Sequence, residues 1–300
     1  MGKAFPRTLR LVRATAQAWW DDNIPRLGAS LAYYTLFSIA PVLLVAIAIA
    51  GRVFGPDAVR GQVVGEIEAL VGHDGALAVQ GLLEGASRRG AGGVAAAVGS
   101  ITFVLAAMGA FLELQAALNV IWRVKPRPSV NIRAFLLDRL RSFGLVVASG
   151  FLLLVSLLVS AALAAVSAWA SHWVPALQTA VGVAHVVVSI AVSSGLFALV
   201  YSVLPDVELK ARDVAVGALV TGVLFTGGQQ LIGLYLGHSA TASTYGAAGS
   251  VVLLLLWVYY SSQVVLLGAE FTRLHADHTG FHPPPMEFAE PDPEAPIKAT

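Results

Sequence analysis

The sequence predicts an all-α integral membrane protein: a bundle of six transmembrane helices with both termini in the cytoplasm. Three observations carry this. The 300 residues are 57% hydrophobic and 12% charged, with a mean hydropathy of +0.74, whereas soluble domains carry about a quarter charged residues. The stretch Tyr245–Ala269 holds no charge before Glu270 and Arg273, and at ~1.5 Å per residue its roughly 25 residues outrun a hydrocarbon core of about 30 Å. Finally, 15 of the 19 Lys and Arg fall in segments that an inside N-terminus places in the cytoplasm, as the positive-inside rule requires.

The elements follow in order. Residues 1–27 are basic (Lys3, Arg7, Arg10, Arg13, Arg26), and Phe5, Leu9, Val12, Ala16 and Trp19 recur at helical spacing. That pattern reads as an amphipathic helix on the cytoplasmic surface, with Trp19 and Trp20 at headgroup level. The first span covers about 28–50. Ala46-Ile47-Ala48 resembles a signal-peptide cleavage site, but the basic region is too long and the apolar run exceeds the usual ~7–15 residues, so the segment is expected to stay attached. Pro41 predicts a kink. Residues 52–90 turn polar, with Val59, Val63, Ile67 and Leu70 at helical spacing, and read as an outer amphipathic segment of two short helices.

The remaining spans are expected at about 92–122, 143–168, 181–204, 214–236 and 245–271, which makes 28–274 one membrane domain. Six cations lie between Arg123 and Arg141, and Pro205–Asp213 reads as a short charged turn. Residues 275–300, rich in His, Pro and acidic groups, are expected to form a disordered tail.

Polar side chains inside spans cost free energy and mark places to look for function. Glu113 is the charge lying well inside a span, and Gln263, Tyr34 and Ser38 fall at comparable depth in theirs. Gln115 and Asn119 share a helix face at i, i+4. Together these six residues predict a polar patch in the cytoplasmic half of the bundle. It is either a substrate path, with Gln115, Gln263 and Tyr34 as partners of Glu113, or interhelical fastening of ~0.6 kcal/mol per contact. Glu270 and Arg273, at i, i+3, read as a surface ion pair.

Several functions fail on the residues. There is no cysteine, and GxSxG, HExxH and SxxK are absent. The glycine spacings at Gly85–Gly90 and Gly222–Gly227 lack the lysine that grips a phosphate. His275, His278 and His282 lie in the expected tail, a poor setting for a metal. A net charge of +1 is too small for a nucleic-acid binder. The expectation is a protein with no catalytic residues, metal, cofactor or nucleic-acid partner.

Certain stretches together resemble the YihY/BrkB family of bacterial inner-membrane proteins. They are ASLAYYTLFSIAP at Ala29–Pro41, ALNVIW at Ala117–Trp122, LPDVELKARDVAVGAL at Leu204–Leu219, and YGAAGSVVLLLLWVYYSSQVVLLGAEFTR at Tyr245–Arg273 with the GLYLG before it. Tyr33, Pro41, Asn119, Tyr245, Gly246, Gly249, Trp257, Gly268 and Glu270 match the family pattern. The resemblance implies a six-helix bundle in the bacterial cytoplasmic (inner) membrane with both termini inside. The family has been called virulence factor and also ribonuclease BN, a misassigned label for which these residues supply no site. It further implies a role in transport or envelope-lipid handling, with the lipid bilayer, a lipid or small-molecule substrate, and a second copy or envelope protein as partners. The rival expectation is a scaffold whose outer helices bind a partner.

Overall fold

The computed structural model describes residues 7–55, 60–61, 63–65, 67–68, 76–81, 83–84, 108–127, 175–238 and 249–293. Six long or medium helices organise them: α1 (Arg7–Asp21), α2 (Ile24–Phe54), α3 (Met108–Ile121), α4 (Pro175–Val203), α5 (Ala211–His238) and α6 (Gly249–His278). Four contain stretches long and apolar enough to cross a membrane: Ile24–Leu44, Gly182–Val203, Ala211–Gln229 and Val251–His278. The predicted third span, 143–168, and the outer half of the second lie outside the described residues. So do Tyr245 and Gly246. Helix α2 is continuous through Pro41. Helical residues also occur within 60–68 and 76–84.

The chain forms two compact units. The first comprises Met1–Ile24, Gln115–Thr226 and Val264–Thr300, and the second Pro25–Leu114 and Gly227–Gln263. In the first unit, α4, α5 and α6 meet around Tyr201, which is 1% exposed. Its hydroxyl donates to the Val265 carbonyl at 2.6 Å and lies 3.1 Å from Thr221 Oγ1. Phe197 stacks on Tyr201 and meets Phe225 edge-on. Gly268 allows this approach: a Cβ there would run into Thr221 Oγ1 and lie 2.6 Å from the Tyr201 hydroxyl. Membrane helices draw their packing from such small-residue contacts, since lipid tails are as apolar as leucine.

The second unit holds most of α2, the first turns of α3, the C-terminal part of α5 and the N-terminal part of α6. Gln263 sits against Gly28, the Tyr34 ring against Gly109, and Tyr260 against Gly228. Each contact sets a polar or aromatic side chain on a glycine.

The expected disordered tail is not what residues 275–293 form. Helix α6 runs on to His278 and ends at Gly280 (φ +76°). There the Phe281 amide donates to the Ala276 carbonyl at 3.1 Å and the Gly280 amide to Asp277 at 3.0 Å. This is the Schellman closure that a glycine past the helix end permits. The turned chain then runs as an extended strap. Strand β2 (Ala289–Pro291) pairs antiparallel with β1 (Val124–Pro126), and Pro285 bridges Val207. Backbone bonds from Glu208 to Pro284 and from Met286 to Asp206, both 3.0 Å, complete it. Proline-rich composition argues against a helix and a core, but not against an edge strand whose carbonyls find amide donors.

Candidate functional site

Two polar regions stand out, one in each unit. In the first, charge is sealed. Asp22 lies in the two-residue break between α1 and α2, made by Asn23 in a left-handed conformation (φ +54°), which asparagine tolerates better than most residues. The break turns Asp22 inward, where its side chain is 2% exposed. Arg123 Nη2 donates to both Asp22 oxygens, at 2.7 and 2.8 Å. Arg123 is itself left-handed (φ +59°) just past the end of α3. From α6, Arg273 Nη2 donates to Glu270 Oε2 at 2.7 Å and lies 3.8 Å from Asp22 Oδ2. Glu270 is fully buried and Arg273 is 15% exposed at the side chain. The expected surface ion pair is therefore part of a quartet whose two carboxylates are buried and whose two guanidiniums are partly exposed. Asp22 faces both guanidiniums and Glu270 faces Arg273 through Oε2, while Glu270 Oε1 is buried with no hydrogen-bond partner among the described residues; buried charge has to be paired in this way.

A clamp of amides on a carboxylate lies in the same unit. Asp206, 4% exposed, accepts from Gln115 Nε2 at 3.1 Å and Asn119 Nδ2 at 2.7 Å. Asn119 Oδ1 accepts from the Asp206 amide at 3.0 Å. Within the charged turn Pro205–Asp213, Asp206, Val207 and Asp213 are buried, while Glu208, Lys210 and Arg212 are exposed. At its far end His275 lies 4.0 Å from Asp213 and stacks on Phe271, while His278 Nδ1 sits 2.8 Å from the Leu274 carbonyl.

The second unit holds Glu113. Its Oε1 accepts a short hydrogen bond from Ser30 of α2, and its side chain stays partly exposed. Ser38, two turns on from Ser30, accepts from the Ala110 amide at 3.3 Å and donates to Tyr34 at 2.8 Å. Tyr33, Tyr34 and Phe37 form an exposed aromatic cluster on α2, with the Tyr33 and Phe37 ring centroids 5.0 Å apart.

The six predicted path residues therefore separate. Glu113 meets Ser30 of α2, Tyr34 and Ser38 meet Gly109 and Ala110 of α3, and Gln263 lies in the same unit on Gly28. Gln115 and Asn119 belong to the Asp206 clamp instead. Sequence reasoning missed Ser30, Asp22, Arg123 and Asp206 as partners. Ser30 was legible as a small hydroxyl in the first turns of an apolar span. Asp22 carries no local signal, because its partners lie about a hundred residues or more away. Of the pattern residues, Gly268 and Glu270 have packing and charge roles, Tyr33 is exposed, and Gly249 and Trp257 lie on α6. Among the described residues no group of three or more His, Cys, Asp or Glu could hold a metal ion.

Apolar helices of spanning length, with buried charge gathered at one end of them, define an α-helical membrane protein. The chain belongs to the BrkB family: the family model described as Virulence factor BrkB matches residues 15–289. Its relatives include the UPF0761 membrane protein RSc1559 of Ralstonia nicotianae, 30% identical over 266 residues, which cover 88% of this chain and 58% of the relative. The UPF0761 membrane protein PSPA7_4558 of Pseudomonas paraeruginosa is 26% identical over 272 residues, 90% of this chain and 63% of its own length. A UPF0761 membrane protein of Glaesserella parasuis is 41% identical over 83 residues, covering 27% of this chain and 29% of the relative. The chain thus spans about three fifths of the length of the first and second of these. No solved structure matches it.

Proposed function

We propose that this protein is a non-enzymatic, six-span protein of the bacterial cytoplasmic membrane that moves a lipid-like or small polar substrate for the cell envelope. Both termini lie in the cytoplasm in this reading. Helix α1 rests on the inner surface, with exposed Leu9, Val12 and Trp20 toward the lipid and Arg10 and Arg13 toward anionic headgroups.

The observation that carries the proposal is the Ser30–Glu113 pair. Both residues belong to apolar helices, and a carboxyl there is expensive unless it is neutralised, paired or wet. Glu270 meets that demand with Arg273 and complete burial. Glu113 meets it with one hydroxyl while keeping part of its side chain accessible. An accessible acid within a span suits a polar path better than a fastening does.

The test is lipid movement between leaflets in liposomes holding the purified protein, against Glu113→Ala and protein-free vesicles. Faster exchange with wild type that falls in the variant supports the proposal. Rates equal to empty vesicles, with folded protein confirmed, overturn unassisted lipid movement and turn attention to a scaffold role.

A further inference from the structure

The helical stretches within 60–68 and 76–84 enclose a cleft of about 340 Å³ that neither the family assignment nor the proposed path accounts for. Among the described residues it is lined by Arg60, Gly61 and Val64 from one stretch and Gln80, Leu83 and Glu84 from the other. The spacing explains the grouping. Arg60 and Val64 are i, i+4, and Gln80, Leu83 and Glu84 are i, i+3, i+4, so each set shares one helix face. Leu83, 1% exposed, and the half-buried Val64 contribute apolar surface. Gln80 Nε2 donates to Glu84 Oε1 at 3.2 Å, which orients the carboxylate. A Cβ added at Gly61, Gly65 or Gly81 would meet nothing within 4 Å, so missing side chains hold the surrounding surface open.

The cleft offers a guanidinium on one wall, a carboxylate braced by an amide on the other, and apolar surface beside them. Its volume is at the small end of ligand pockets, ~300–1,000 Å³. A purely anionic ligand would be repelled by Glu84, and a purely cationic one by Arg60. We infer that this cleft binds a zwitterion of the phosphoethanolamine type, with its phosphate on Arg60, its ammonium on Glu84 and its carbon skeleton over Val64 and Leu83. An arginine fork matches phosphate oxygens with two parallel hydrogen bonds. That chemistry comes either from a lipid headgroup or from a free small zwitterion. The lipid source rests on the reading above, in which the 52–90 segment lies at the outer membrane surface of a lipid-handling protein.

The experiment is calorimetric titration of the full-length protein in detergent micelles with three probes: soluble phosphoethanolamine, dihexanoyl phosphatidylethanolamine and dihexanoyl phosphatidylglycerol. Arg60→Ala, Glu84→Gln and Gly61→Leu are titrated alongside, each with its melting temperature checked against wild type. An ethanolamine probe should bind wild type and lose affinity by about ten- to a hundredfold in Arg60→Ala, the value of a hydrogen bond to a charged group. Gly61→Leu, which fills the cleft, should abolish binding. Glu84→Gln should erase the preference for the ethanolamine lipid over the glycerol lipid. Binding of the lipid without the soluble probe assigns a headgroup with its acyl chains, and equal binding of both assigns a free zwitterion. Equal affinity of wild type for the two lipids overturns the zwitterion, and unchanged affinity in Arg60→Ala and Gly61→Leu overturns the cleft. The readout needs no leaflet exchange. Loss of the transport reading with binding retained leaves the cleft standing, and the converse leaves the path standing.

Discussion

Glu270 and Glu113 are the same residue solved in opposite ways. Glu270 is completely buried, bound at 2.7 Å by Arg273, and neighbours an Asp22 held bidentately by Arg123. Glu113 has a serine and partial exposure. The first arrangement resists change, because removing one partner strands a buried charge. The second tolerates change, because little but a single hydroxyl depends on it. In the proposed reading, an acid within an apolar helix does not by itself mark a functional site; its degree of sealing is what separates fastening from path.

Breaking the sealed region should cost most. Glu270→Ala leaves Arg273 short of its closest carboxylate, and thermal unfolding in detergent should show a loss of about 3–5 kcal/mol. A melting temperature within a degree of wild type would remove the quartet from the account. Next comes the Asp206 clamp. In Asp206→Asn one of the two acceptors becomes an amide donor, which faces either Asn119 Nδ2 or Gln115 Nε2, so about 2 kcal/mol should be lost.

Gly268→Ala should cost about 1–3 kcal/mol through overpacking against Thr221 and Tyr201. Thr221→Ala should recover part of that loss in the double variant, and additive losses would show the contact is not shared. The smallest effect belongs to the strap. Lys210 Nζ sits 3.8 Å over the Phe281 ring, so Lys210→Ala should lower stability by only about 0.5 kcal/mol. A larger loss there would extend the sealed region to the strap.

What the sequence made legible followed from local rules. Long apolar runs marked α2, α4, α5 and α6, since span length needs no knowledge of neighbours. The polar residues of the first, second and last spans were visible for the same reason, but their grouping was not. Gln115 and Asn119 bond a residue about 90 positions away in Asp206, and no periodicity encodes such a partner. Arg273 looked like an exposed partner for Glu270 because i, i+3 spacing shows adjacency and hides burial. The tail misled by composition. Gly280 followed by Phe281 and Pro283 carried a helix-stop signal, yet the edge to which β2 pairs comes from Val124–Pro126, far away in the chain.

The most direct test compares the two glutamates in one assay, measuring leaflet exchange by Glu113→Ala protein in liposomes after its melting temperature has been matched to wild type. The account predicts an unchanged melting temperature within about 1 kcal/mol of stability and exchange reduced toward the rate of empty vesicles. Wild-type exchange in that variant, or a collapse of its stability like that expected for Glu270→Ala, would contradict the distinction between sealed fastening and accessible path.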